Sequence, residues 1–182
     1  MFCTLVANRW LAGSACGKRR GGRPLNSVVR RHVNGHLRIT RMPYEEPHHL
    51  NLVVEASNGP FGGALELYVS TPHLVELGKV LAVFPRHKDD VHLWELGSER
   101  PEDRFKFYFR FRAFTTNSRG HCALQLRFNN NEDLPERKVS EFCILAEPAE
   151  INHLGKLVAE FALLHHEYLE WSGADGRLEE KA

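Results

Sequence analysis

The residues best suited to chemistry in this sequence are its eleven histidines and four cysteines, but their spacing does not assemble a site. The histidine pairs at 48–49 and 165–166 are adjacent, and neighbouring residues on a helix point about 100° apart, so two such rings rarely bind one metal ion. Cys122 and Cys143 lie among apolar residues, and His121 faces the opposite side of its strand from Cys122. The motifs His-Glu-x-x-His, Cys-x-x-Cys and Gly-x-Ser-x-Gly do not occur. We therefore expect a protein that is not an enzyme, with no catalytic residue, metal or cofactor.

A basic and aromatic pattern in residues 104–128 is the stronger candidate for a functional surface. Phenylalanines alternate there with Lys106, Tyr108, Arg110 and Arg112, and Arg127 has the matching parity on the next predicted strand. Three interpretations stay open: a solvated face covered by lysine and arginine stems, a protein-partner face, or a face for single-stranded nucleic acid. Because tyrosine and arginine often anchor protein interfaces, we take these five residues as candidate partner-binding residues.

The elements that must position these residues follow from the spacing of the apolar side chains. Period-two alternation predicts strands over residues 50–56, 64–70, 91–96, 104–114, 121–128 and 139–146. Apolar spacings of three and four predict a helix that begins just before Pro72 and stops at Pro85, and a second from Pro148 to near Trp171. Because the connections between the last four strands are short, these strands should form an antiparallel meander.

This order of elements predicts an α+β fold: an antiparallel sheet of about six strands with the two helices on one face. The order is strand–strand–helix–four-strand meander–helix. We assign residues 42–173 to this single domain and expect residues 174–182 to be a frayed, charged tail.

The net charge of +1 conceals a division of the chain at residue 41. Residues 1–41 hold nine Lys or Arg and no acidic residue; the other 15 basic and all 23 acidic residues follow, so residues 42–182 have a net charge of −8. No window approaches eighteen successive apolar residues, which excludes a membrane-spanning helix. Four cysteines are too few for a disulfide framework.

Three explanations of the basic segment, residues 1–41, stay open, and under each we expect it to be disordered. Met42 is the only methionine besides Met1, so translation from Met42 would make the segment an over-extension of the reading frame. An arginine-rich, acid-free N-terminus also suits a targeting peptide, and clustered arginine suits a nucleic-acid-binding arm. The alternation of Val33, Leu37 and Ile39 leaves room for one short added strand within residues 28–41.

Several short motifs in the body of the chain occur in a familiar order. A Phe-Gly-Gly turn at 61–63 is followed by Glu66 and Tyr68, then by the leucine-rich first helix, and Gly120-His121 opens a later strand. This pattern, over roughly residues 50–165, resembles the WapI-type bacterial immunity proteins and related bacterial domains of unknown function. Those proteins usually have serine where this chain has Gly62. The resemblance implies a compatible fold and an antidote role against a toxin, and it carries over no catalytic residue.

Together these observations predict a non-enzymatic protein-binding domain of the bacterial cytoplasm, in its most specific form an immunity protein that neutralises a toxin. The acidic body favours a basic partner, because opposite charges accelerate association and fix orientation. The alternative is a module that binds RNA or single-stranded nucleic acid through Tyr108, Arg110, Arg112 and Arg127. The oligomeric state is not determined by the sequence.

Overall fold

The structure of the protein, a computed structural model, describes residues 35–42 and 44–180. Two helices, nine strands and one short 3-10 helix (Pro101–Asp103) occur in this part of the chain. In chain order the strands and helices are β1 (His36–Met42), β2 (His49–Ser57), β3 (Gly62–Ser70), α1 (Thr71–Leu81), β4 (Val91–Gly97), β5 (Tyr108–Thr115), β6 (Cys122–Asn129), β7 (Val139–Ala146), α2 (Pro148–Phe161), β8 (His166–Ser172) and β9 (Asp175–Glu180). None of the helices described is long and apolar enough to cross a membrane.

The strands form two antiparallel sheets rather than the single six-stranded sheet that the sequence predicts. One sheet has five strands in the order β3-β2-β1-β8-β9, and the other is the four-stranded meander β4-β5-β6-β7. The α+β class, the β2–β3 hairpin and the meander are confirmed. The strand count differs because three strands were not predicted. Strand β1 lies in the predicted basic segment, β8 in the predicted last helix and β9 in the predicted tail.

Both sheets and both helices bury their apolar sides in one common core. Leu52 of the five-stranded sheet, Leu81 of α1, Leu154 of α2 and Phe109 of the meander line the same small apolar cavity at its centre. Across the meander, the rings of Phe109 and Phe128 lie 5.2 Å apart, and those of Phe128 and Phe142 lie 6.1 Å apart. The helices pack closely against each other and against strands of the five-stranded sheet, α1 on β3 and α2 on β8 and β9, and their buried side chains meet those of the meander in this core.

Strand β1 lies at the centre of the five-stranded sheet, where it pairs with β2 on one side and β8 on the other. Leu37 and Ile39 point into the core, and Arg41 is only 8% exposed. The predicted boundary after residue 41 thus falls inside β1, so the globular domain begins before Met42. The short added strand that the sequence allows within residues 28–41 is present as β1, at the C-terminal end of that range. Residues 1–34 lie outside the described residues.

The C-terminal third of the chain differs most from the sequence prediction. Helix α2 ends at Phe161, ten residues before the predicted end, and the chain continues as the β8–β9 hairpin. Leu164 adopts a left-handed conformation (φ 65°), and its carbonyl oxygen accepts a hydrogen bond of 2.9 Å from Nη2 of Arg41. The predicted tail is a strand over Asp175–Glu180, and residues 181–182 lie outside the described part.

The two helices cross at glycines that allow their backbones to approach closely. A β-carbon on Gly155 would lie 2.2 Å from the backbone nitrogen of Ala82, and one on Gly78 would lie 2.7 Å from that of Ala159. Neither position can accept a side chain unless the helices separate. This contact fixes the distance between α1 and α2 and so the shape of the core.

We predict that a chain beginning at Gly35 folds, whereas a chain beginning at Met42 does not. The shorter chain lacks β1, which leaves β2 and β8 without their shared partner and uncovers the core contacted by Leu37 and Ile39. Thermal and urea unfolding followed by circular dichroism will compare both chains with the full-length protein. Cooperative unfolding of the Met42 chain at the full-length midpoint would show that β1 is dispensable.

We predict that Gly155→Ala destabilises the protein even though alanine is the better helix former. The intrinsic gain from alanine in a helix is about 1 kcal/mol, while overpacking against a backbone that cannot move aside costs roughly 1–3 kcal/mol. The expected net change is a lower free energy of unfolding, measured in urea. Lys156→Ala, at the exposed neighbouring position on α2, is the matched control and should leave stability unchanged or slightly raised.

Candidate functional site

The outer face of the four-stranded sheet, which we call the meander face, carries four of the five candidate residues in ordered rows. The register places Arg110 of β5 directly opposite Arg127 of β6, with Glu95 of β4 and Glu141 of β7 at the ends of that row. Arg112 lies in the next row and Tyr108 in the row on the other side. The predicted common face for these four side chains is confirmed by this register.

The charged row is held together by Glu141. Its carboxylate accepts hydrogen bonds from Nη2 of Arg110 at 2.5 Å, from Nη1 of Arg127 at 2.7 Å and from Nε2 of Gln125 at 2.6 Å. Two arginines directly opposite each other on paired strands repel. A single carboxylate that bridges both removes this repulsion and orders the two guanidinium groups.

Further acidic partners surround the same row. The Glu99 carboxylate contacts Arg127 at 2.9 Å and accepts a hydrogen bond of 2.7 Å from Asn129. Burial opposes ionisation of Glu99, but the hydrogen bonds from Asn129 and Arg127 outweigh it and lower its pKa. Burial, together with a hydrogen bond donated to the Glu95 carboxylate, raises the pKa of Tyr108 to about 12. Glu99 therefore stays ionised and Tyr108 stays protonated near neutral pH.

One end of the meander face is apolar. The row across the four strands at this end consists of Val91, Phe114, Ala123 and Leu145. Val91 is 48% exposed and Leu145 is 64% exposed, and Leu93 in the adjacent row is 50% exposed. The guanidinium carbon of Arg112 lies 4.8 Å from the centre of the Phe114 ring, so Arg112 marks the border between the apolar and charged rows.

Lys106 does not lie on the meander face, because β5 begins at Tyr108 rather than at Arg104. Arg104 adopts a left-handed conformation (φ 52°), and the amide of Asn131 donates hydrogen bonds to the carbonyls of Phe105 (3.0 Å) and Ser98 (2.7 Å). These bonds turn the segment away from the strand. Phe105 is 52% exposed as a result, although the alternation predicts it in the core.

Within residues 35–42 and 44–180, the histidine and cysteine side chains do not form a cluster of possible metal ligands. Cys122 is buried and contacts the carbonyl of Gly120 at 3.3 Å, and burial raises the pKa of its thiol, which keeps it protonated and unreactive. The His121 ring bonds through Nδ1 to Glu147 at 2.7 Å beside a cleft of about 520 Å3. Among the described residues, no group of three or more His, Cys, Asp or Glu side chains could hold a metal ion.

Comparison of the chain with protein-family models, curated proteins and solved structures finds no match.

Sequence reasoning missed the acidic members of the meander face. Glu141 lies at an outward-facing position of β7, a strand that the sequence predicts. Because side chains alternate between the two faces of a strand, its outward direction could have been inferred from the sequence. Its position beside both Arg110 and Arg127 depends on the β6–β7 register, which the nine-residue connection does not specify. Glu99 lies in a loop, where no periodicity applies.

We predict that Glu141→Gln destabilises the protein by about 1 kcal/mol at low salt, because it leaves Arg110 and Arg127 opposed without their shared carboxylate. Urea unfolding at low and at high salt will measure this difference, which should shrink as salt screens the repulsion. Glu136→Gln, in the exposed β6–β7 connection, is the charge-matched control. Equal loss of stability in both variants would contradict a bridging role for Glu141.

Proposed function

We propose that the chain is a non-enzymatic protein-binding domain and that the meander face contacts its partner. The observation that carries this proposal is the apolar row at one end of the face, beside an ordered row of arginine and glutamate. Exposed aliphatic groups such as Leu93 and Leu145 gain from burial against another apolar surface. Tyr108, Arg110 and Arg112 are of the residue types that most often anchor protein interfaces.

The charge of the face favours a protein over a nucleic acid. Three arginines (Arg110, Arg112, Arg127) and three glutamates (Glu95, Glu99, Glu141) give it no net charge. Arg110 and Arg127 are paired with carboxylates, so a phosphate backbone would have to displace Glu141 and Glu99 to reach them. A protein surface can instead add its own polar groups to the existing network without displacing it.

The charge of the whole domain points to a basic partner. Residues 35–180 hold 16 basic and 23 acidic side chains, a net charge of −7. Opposite charge speeds association and orients the encounter before short-range contacts form. Together with the resemblance to WapI-type immunity proteins, this supports a role in the bacterial cytoplasm as an antidote that covers a basic toxin.

The proposal predicts that charges placed at Leu145 in the apolar row and at Leu93 in the adjacent row weaken partner binding without unfolding the domain. The test protein is the product of the adjacent reading frame, co-expressed with this chain and titrated by calorimetry. Leu93→Glu combined with Leu145→Glu should weaken binding by a factor of about 30 or more, the effect of losing central interface contacts. Leu134→Glu, which is 83% exposed but outside the meander face, should bind like the wild type.

Two results would contradict the proposal. One is a complex whose affinity is unchanged by the combined Leu93→Glu and Leu145→Glu substitutions, in a double variant that retains the wild-type unfolding midpoint. The other is tight binding of a single-stranded oligonucleotide that Arg110→Ala combined with Arg112→Ala removes, because this would assign the face to nucleic acid. A complex that is insensitive to salt would argue against the electrostatic part of the proposal.

A further inference from the structure

A second concave surface lies at the other end of the meander, beyond the end of β4 that carries Gly97. This groove has a volume of about 570 Å3, within the range of small-molecule sites. Its walls come from the start of β2, the junction of β3 and α1, and the 104–107 segment that precedes β5. None of the residues that line it belongs to the charged or apolar rows of the meander face.

The groove is cationic in a domain that is otherwise acidic. Arg104 and Lys106 are among its lining residues, and no Asp or Glu is. Within the part of the chain that the structure describes, neither Arg104 nor Lys106 forms an ion pair. The sheet arginines behave differently, since Arg110 and Arg127 are both held by carboxylates. The charge of the groove is therefore free to neutralise an anion.

The groove is also aromatic. Phe105, Phe107 and Tyr68 line it, and Phe105 and Tyr68 are about half exposed. Tyr68 packs edge-on against Tyr44 with ring centres 5.5 Å apart, which restricts its ring. Exposed rings beside unpaired cations form the combination that takes up a planar base together with its phosphate.

The backbone of the 104–107 segment is fixed while its side chains are left open. The amide of Asn131 holds the Phe105 carbonyl, and the Arg104 nitrogen donates to the Pro101 carbonyl at 3.2 Å. Gly97 (φ 76°) makes the close approach possible, since a β-carbon there would lie 2.0 Å from the carbonyl oxygen of Phe107. The segment is thus positioned in advance, which lowers the entropy cost of binding a ligand.

We propose that this groove binds a nucleoside phosphate, with its base stacked on Phe105 and its phosphate neutralised by Arg104 and Lys106. The three rings favour a planar base over an acidic peptide, and the volume suits a single nucleotide. The nucleotide is either free or the terminal residue of a single strand. The site is independent of the protein interface proposed for the meander face.

The test is calorimetric titration of the full chain with adenosine monophosphate and uridine monophosphate, with the nucleosides and inorganic phosphate as separate probes. We expect saturable binding of a mononucleotide, with the nucleoside and phosphate each at least about tenfold weaker because each lacks one of the two contacts. Inorganic phosphate that binds as tightly as the nucleotide would overturn the assignment of a base. No saturation by any mononucleotide would overturn the proposal altogether.

Matched variants assign any binding to the groove, which matters because the full chain also carries the basic residues of positions 1–34. Arg104→Gln combined with Lys106→Gln should weaken nucleotide binding about tenfold or more. Arg137→Gln combined with Lys138→Gln removes the same two charges from the exposed β6–β7 connection and should have no effect. Equal effects of the two pairs would contradict binding in the groove.

The aromatic contact is tested by Phe105→Leu, which keeps an apolar side chain but removes the stacking surface. We expect about tenfold weaker nucleotide binding, while Phe61→Leu, at an exposed ring in the β2–β3 turn, should bind like the wild type. Thermal midpoints equal to that of the wild type confirm that each variant is folded. Unchanged affinity in folded Phe105→Leu would overturn the stacking assignment.

A single-stranded RNA octamer distinguishes the two sources of the nucleotide. The end of a strand is identified as the ligand if the octamer binds more tightly than the mononucleotide and competes with it. The Arg104 and Lys106 substitutions should then weaken binding of the octamer as well. An octamer that does not compete identifies a free nucleotide. An acidic peptide that displaces the mononucleotide with higher affinity would instead assign the groove to a protein segment and overturn the proposal.

Discussion

The pairing of β1 with both β2 and β8 is the constraint on which the rest of the structure depends. The β2–β3 hairpin and the β8–β9 hairpin are more than ninety residues apart in the chain, and β1 joins them into one sheet. Arg41 strengthens this junction, since Nε donates to the His166 carbonyl at 3.1 Å and Nη1 lies 2.6 Å from the Glu46 carboxylate. A guanidinium group that is almost fully buried is tolerated only when its donors are satisfied in this way. The last residues of the basic segment therefore belong to the core.

Paired charges cover the outer faces of both sheets, so charge pairing by itself does not mark a functional site. On the five-stranded sheet, Glu170 contacts Arg38 at 3.1 Å and Arg177 at 2.8 Å, and both guanidinium groups lie within 5.5 Å of the centre of the Tyr168 ring. The meander face has the same kind of network around Glu141. The two proposed sites depart from this pattern, one through an exposed apolar row and the other through two cations, unpaired within the described residues, that line a groove beside exposed rings.

Part of the candidate site was predictable from the sequence because strand parity is local. Tyr108, Arg110, Arg112 and Arg127 share one face as expected. Lys106 has the same parity but lies in the groove, because the chain turns at Arg104 and Asn131 holds it there. The groove itself was not predictable. It joins residues near positions 49, 70, 97 and 105, and their proximity depends on how β3, α1 and the meander pack.

The sequence by itself determined the α+β class, helix α1, the start of α2 and six of the nine strands, because hydrophobic period, proline and turn residues act over a few positions. Only the tertiary structure decided that the chain forms two sheets. The apolar spacing of residues 161–171 fits a helix as well as a strand, so the sequence does not predict the strand β8 that extends the five-stranded sheet. Pairing with β1 selects the strand by burying Leu169 and Trp171 and by satisfying the backbone hydrogen bonds of β8. The net charge of the domain likewise depends on where the domain begins. The change in composition after residue 41 suggests a boundary there, but that position lies inside strand β1.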